Sequence, residues 1–441
     1  MKRINWLAMA VLTAWLGVVT YRITVATDLP FDAAYNFLAY KNIADRGAYV
    51  NNYGEETLPW DPIASTGPTV NVPVLAYYAL SGDPHGVCAG TAWTNVLYTV
   101  LFCCGFLLMN HKILGGVGLP LLVALVYVTP SLMRRETLFT GLGEHFTMIF
   151  IYAGAALLFP RRSRLIVLLG ATAVGLAILT KISAVAGLAL PALWFLARLP
   201  QWLRGVKSVG SCLGIVILLG LGVSMPKLLH SRILPAALLH GEARNLYDGF
   251  HRYWENDVSN AATVNWHRFK AYVVSKEQKP LEEIAANLAS KRQSYASSKV
   301  GTTHMVLHLS LFFLAMAYAW WRRDEFEYVF VLGLYAVGNG LWWFLLNESP
   351  AYRYVATGDM AALIVIATAL PALARDAWYQ GARPLRSLSV VGAAALAVFL
   401  SVEALNADYR PAFSAAEKRK TGLLAFSDAF RSLPKDAIFL G

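Results

Sequence analysis

Carboxylates and cations stand together in a few short polar segments between long apolar runs, and those two residue types in company could carry out group transfer. Asp28 and Asp32 lie in the stretch Thr27 to Phe37, Asp61 in Pro59-Trp60-Asp61-Pro62, and Glu144 directly after Gly143. A carboxylate there can take the proton of an attacking hydroxyl. Arg134, Arg135, Lys181 and Arg353, the last beside Tyr352, supply cations suited to phosphate oxygens. A base on one side and a phosphate cradle on the other would serve an in-line displacement. The bland alternative for each charge is snorkelling at a membrane surface or an ion pair. For Lys181 and Arg353 that pair would be with Glu144 or Glu348.

The elements that must position these groups are apolar helices. The 441-residue chain is 57% hydrophobic and 15% charged, where a soluble domain carries about a quarter charged residues. Eleven stretches have the length and composition of membrane spans: 5–25, 91–109, 114–130, 143–159, 165–180, 182–198, 209–225, 303–321, 327–346, 355–374 and 388–404. The chain therefore reads as an all-α polytopic membrane protein. Its first apolar stretch follows Met-Lys-Arg and has no small-residue cleavage site before Asp28, so it is expected to stay as the first helix.

With the N-terminus in the cytoplasm, fourteen Lys and Arg fall in inside segments and four, namely Arg134, Arg135, Lys181 and Arg353, in short outside loops. That asymmetry follows the positive-inside rule and sets N-in, C-out. Two long segments, 26–90 and 226–302, then lie outside, as does the tail 405–441. The first should hold amphipathic helices near 32–46 and 69–81, joined by a Gly/Pro/Asn loop. The second reads as helix-rich, basic and aromatic, and acceptor choice is expected there. Residues 1–404 form one transmembrane module, and 405–441 is too short to bury a core alone.

Other function classes find little support. The net charge of +11 fits membrane topology and anionic lipids better than nucleic acid. Cys88, Cys103, Cys104 and Cys212 suggest neither a disulfide framework nor a metal cluster. His85, His145, His240 and His251 lack ligand spacing. The glycines at 115, 116 and 118 lack the strand and the Lys-Ser/Thr of a phosphate loop.

Phe31-Asp32-Ala33-Ala34-Tyr35, followed by Asn42-Ile43-Ala44-Asp45-Arg46-Gly47, resembles the first outside loop of GT-C glycosyltransferases. The groups it is most similar to are the bacterial relatives of protein O-mannosyltransferases and the lipid A aminoarabinose transferase. Ser65-Thr66-Gly67-Pro68 before Val72-Pro73-Val74-Leu75 resembles the second half of that loop. Gly143-Glu144 resembles the next acidic motif, Gly175 to Lys181 the Gly-Leu…Thr-Lys segment, and Tyr352-Arg353-Tyr354 the late Arg-Tyr motif. The similarity covers about residues 5–370 in order and topology.

The resemblance implies a GT-C bundle of about eleven transmembrane helices and an inverting transfer from a polyprenyl-phosphate sugar. The acceptor would be a glycan, lipid or protein of the cell envelope. The setting would be a bacterial inner membrane with a periplasmic site and no nucleic-acid partner. Asp32 matches the family's catalytic Asp, with Asp28 a rival and Glu144 a further acid. Lys181, Arg353, Tyr352, Arg134, Arg135 and Asp61 are the substrate-binding candidates. The usual Glu after the Asp is Ala33 here, so its role is lost or moved to Asp28 or Asp61. No cofactor follows from the residues, and a divalent cation stays open. A transporter or flippase for a lipid-linked saccharide is the rival class, with an inactive accessory subunit of a glycan-assembly complex a third reading. A transporter should carry charge deep in several spans, and these spans are nearly free of it.

Overall fold

The computed structural model describes residues 37, 40, 50–53, 56–59, 68–81, 86–114, 143–159, 164–181, 184–203, 209–229, 281–298, 302–345, 347 and 354–380. Two four-residue strands, β1 (Val50–Tyr53) and β2 (Glu56–Pro59), form an antiparallel hairpin. Everything else in regular structure among those residues is helical. The elements are α1 (Pro68–Ser81), α2 (Gly86–Leu114), α3 (Glu144–Leu158), α4 (Arg164–Thr180), α5 (Ala184–Leu203) and α6 (Val209–Leu228), then α7 (Leu281–Ser298), α8 (Thr302–Trp321), α9 (Arg323–Leu345) and α10 (Ala356–Gln380).

Eight of the eleven expected spans fall on α2 to α6 and α8 to α10. The stretches 5–25 and 388–404, and all of 114–130 but Leu114, lie outside the described residues. Among the described residues, four helices are long and apolar enough to cross a membrane: Ala89–Asn110, Thr302–Trp321, Arg323–Leu345 and Ala356–Ala377. Helices α3 to α6 are apolar over shorter lengths.

Helix α10 is the centre of the bundle. It is rich in alanine, the best helix former, and every residue from Val355 to Leu370 is buried. Helices α2, α3, α8 and α9 pack around it. Helix α8 shows how the sequence sorts two apolar environments. His304, His308, Leu311, Phe312, Ala315, Tyr318 and Ala319 are buried at helical spacing, while Val306, Leu309, Phe313, Leu314 and Trp320 are exposed. A helix apolar on both faces belongs in lipid rather than water.

Helices α4 and α6 approach closely through small residues. A Cβ at Gly175 would overlap the Val223 carbonyl, and one at Gly222 would meet the Ala171 methyl. Such contacts let two backbones pack without a hydrophobic driving force between them. Asn110 joins three helices: its Nδ2 donates to the Tyr152 hydroxyl at 2.9 Å and its Oδ1 accepts from Tyr328 at 2.5 Å. At one end, Arg198 pairs with Glu327 at 2.8 Å, and Arg322 with Asp376 at 2.6 Å and with Glu325 at 2.7 Å. The bonded Glu325 carboxylate raises the Arg322 guanidinium above its ordinary pKa.

The segment 26–90 departs in detail from expectation. A hairpin stands where a Gly/Pro/Asn loop is expected; Gly54 and Glu55 are the only residues between its strands, a spacing suited to a tight turn. Helix α1 matches the expected stretch 69–81 and docks on α2 and α4. Of the stretch 32–46, Phe37 and Tyr40 are helical, buried and packed with Val74 of α1; the rest lies outside the described residues.

Candidate active site

Helix α3 begins at Glu144 with Gly143 as its N-cap. Gly143 has φ 84°, a left-handed conformation that a side chain would strain. The turn delivers Glu144 to the first helical position, where the exposed N–H groups of a helix favour an acid. Helix α4 runs antiparallel beside α3 and ends at Thr180, which places Lys181 at the same end of the bundle. Lys181 Nζ donates to Glu144 Oε1. Glu144 is buried and the Lys181 side chain is 21% exposed. The second carboxylate oxygen, Oε2, is buried without a hydrogen-bond partner, as is the Thr147 hydroxyl one turn on.

A chain of hydroxyls fixes α1 against this end of α4. Thr180 Oγ1 donates to the Leu176 carbonyl at 2.6 Å. Its one proton is thereby used, so in the 2.5 Å contact with Thr69 Oγ1 it is Thr69 that donates. The Tyr98 hydroxyl donates to the Thr69 carbonyl at 3.0 Å. That carbonyl would normally accept from residue 73, but Pro73 has no N–H. Tyr98 supplies the missing donor, so a proline inside a helix becomes an attachment point.

Of the residues singled out from sequence, Glu144 and Lys181 are brought together. Asp28, Asp32, Asp61, Arg134, Arg135, Tyr352 and Arg353 lie outside the described residues. The ion pair named above as the alternative for Lys181 is therefore present. It does not exclude a further anionic contact, because an ammonium has three N–H donors. Among the described residues no group of three or more His, Cys, Asp and Glu could hold a metal ion.

No family model matches the chain, and no curated protein sequence matches it. A search of solved structures finds a crystal structure of ArnT from Cupriavidus metallidurans bound to undecaprenyl phosphate. The likeness has a TM-score of 0.51 at 14% identity and covers 90% of this chain and 74% of the other. This chain shares the fold of that structure. With four long apolar helices among the described residues, it is an integral membrane protein.

Thr69, Tyr98, Lys291, Tyr295, His308 and Asp359 were not among the sequence candidates. Thr180 stands inside the Thr-Lys motif and was readable from it. Asp359 carried a plain signal, an acid one turn into an apolar helix. The hydroxyl bond between Thr69 and Thr180 joins residues 111 apart, and no local pattern announces it.

Proposed function

We propose that the protein is an inverting glycosyltransferase that moves a sugar from a polyprenyl-phosphate donor to a cell-envelope acceptor on the periplasmic face of a bacterial inner membrane. The observation that carries this reading is the fold shared with the ArnT structure together with the pairing of Glu144 and Lys181 at one end of the bundle, two residues whose surrounding motifs resemble those of GT-C glycosyltransferases. Further support comes from the arrangement of cations. Arg198, Arg322 and Arg375 belong to ion pairs at the opposite end, where the positive-inside rule puts the cytoplasm.

In the proposed mechanism the donor's lipid tail enters sideways from the bilayer. Lys181 and Arg353 hold its phosphate, with Arg134 or Arg135 as a third cation. Asp32 takes the proton of an acceptor hydroxyl as that oxygen attacks the anomeric carbon, and Asp28 is its rival for the role. The bond from that carbon to the phosphate oxygen breaks, the configuration inverts, and the polyprenyl phosphate leaves with its charge held by the cations. Glu144 orients Lys181. A divalent cation, if required, would act beside the acids.

The test is incubation of purified protein with a panel of polyprenyl-phosphate sugars and envelope lipids, followed by mass spectrometry. A glycosylated acceptor together with free polyprenyl phosphate is expected. Movement of the intact lipid-linked sugar between leaflets, with no transfer to any acceptor, would overturn the reading in favour of a flippase.

A further inference from the structure

Lys291 and Tyr295 stand four residues apart on α7, hence on one face of that helix. Both are buried. Lys291 Nζ donates to the Phe344 carbonyl at 3.1 Å and to the Asn347 carbonyl. These lie at the C-terminal end of α9, where carbonyls lack helical partners and the dipole favours a cation. The Tyr295 hydroxyl donates to Asp359 Oδ1 at 2.9 Å, one turn into α10. The same carboxylate oxygen lies 3.2 Å from His308 Nε2 of α8, with these side chains 1% and 0% exposed. The Tyr295 ring also meets Trp343 of α9, centroids 6.4 Å apart.

These contacts bracket a stretch of chain. Phe344 and Asn347 precede Tyr352 and Arg353 in sequence, and Asp359 follows them. Both flanks are tied to one face of one helix, and that helix is the last element of the long segment 226–302. An acid buried in an apolar helix is costly unless it is used. Here Asp359 is the fixed point on which Tyr295 closes.

We infer that Lys291 and Tyr295 are positioning residues, which set the separation of the two ends, Asn347 and Asp359, between which Tyr352 and Arg353 lie in sequence, and so couple the segment 226–302 to the proposed donor-phosphate end of the bundle. The coupling to the donor rests on the proposed role of Arg353; the bracket itself does not.

Full-length protein in nanodiscs provides the test, with Tyr295→Phe, Lys291→Met and Lys291→Arg compared with wild type. Undecaprenyl phosphate binding is read by native mass spectrometry, and amide hydrogen exchange is read over residues 344–359. Tyr295→Phe keeps the ring and removes only the hydroxyl. It should weaken undecaprenyl phosphate roughly tenfold, the worth of one hydrogen bond to a charged group, and speed exchange over 344–359. Lys291→Met should do the same and Lys291→Arg should restore most of the loss. Combined with Arg353→Ala, Tyr295→Phe should weaken binding no further, since both act through one contact. Additive losses, or unchanged binding and exchange in both Tyr295→Phe and Lys291→Met, would overturn the inference. If wild type does not bind undecaprenyl phosphate, the donor reading falls, and exchange alone decides the bracket: faster exchange upholds it and unchanged exchange removes it.

Discussion

At the scale of residues, Glu144 depends on Lys181. One carboxylate oxygen is on the ammonium and the other is buried without a partner. Removing the lysine alone strands a buried acid. Lys181→Met should therefore cost about 1–3 kcal/mol, below the cost of breaking a fully buried pair because the lysine is partly exposed. Adding Glu144→Gln should recover part of the loss, as thermal unfolding in detergent would show. A separate expectation concerns the base. Asp32→Asn should keep folding and lipid binding yet slow transfer by roughly a hundredfold to ten-thousandfold. A normal rate there, with Asp28→Asn inactive, would move the role to Asp28. Arg353→Lys keeps the charge but loses the planar fork, so the donor concentration needed for half-maximal transfer should rise. The acid and lysine of the site were legible because Glu144 opens one apolar run and Lys181 follows directly on another. The Lys181 partner was legible only as one of two candidates, since helix order, not sequence spacing, brings α3 beside α4.

Helices were easier to read than the contacts between them. Apolar length alone located eight described helices to within a few residues, except that α2 runs five residues further at each end, from Gly86 to Leu114, α5 runs on to Leu203 and α10 to Gln380. The hairpin was missed because alternation over Val50–Tyr53 and Glu56–Pro59 is weak: Asn51, Asn52, Glu56 and Thr57 are polar on both faces. Helix α7 was anticipated only as part of a helix-rich segment, and its buried face of Lys291 and Tyr295 contradicts any reading by hydropathy. At the level of packing, the α4–α6 crossing offers the sharpest expectation. Gly175→Val would drive two methyl groups against the Val223 carbonyl, and overpacking of that kind costs typically 1–3 kcal/mol. Gly214→Val on α6 meets nothing within 4 Å and should be near neutral. Comparing the melting temperatures of the two variants checks the geometry directly.

On the scale of the whole molecule, the two ends of the bundle differ in kind. One end carries arginine–carboxylate pairs, and the other carries Glu144 with Lys181 and the Tyr295–Asp359–His308 cluster. Single cysteines at 32, 181 and 353 should all react with a membrane-impermeant thiol reagent from the non-cytoplasmic side, and a cysteine at 375 only from the cytoplasm; Glu144 is placed on the same side but is buried, so position 144 is not a labelling site. Labelling of 181 from the cytoplasm alone would break the common-site model. The expected orientation rests on the positive-inside count, because charge bias is a property of the whole chain and survives errors in any one helix boundary.

The Asn110 network and the Arg198–Glu327 pair also bear on biogenesis. Both link elements before residue 230 to elements after 300, whereas α3 with α4, α4 with α6, and α9 with α10 are partners near in sequence. Near partners can associate as they are synthesised, and the distant ones must wait for the second half of the chain. The two halves of the chain thus meet through these polar side chains as well as through the shared apolar core. Separately translated fragments 1–240 and 270–441, co-expressed, should find one another and co-purify. Tyr328→Phe together with Glu327→Gln should reduce the yield of the split pair far more than that of the unbroken chain, for which the halves are never apart.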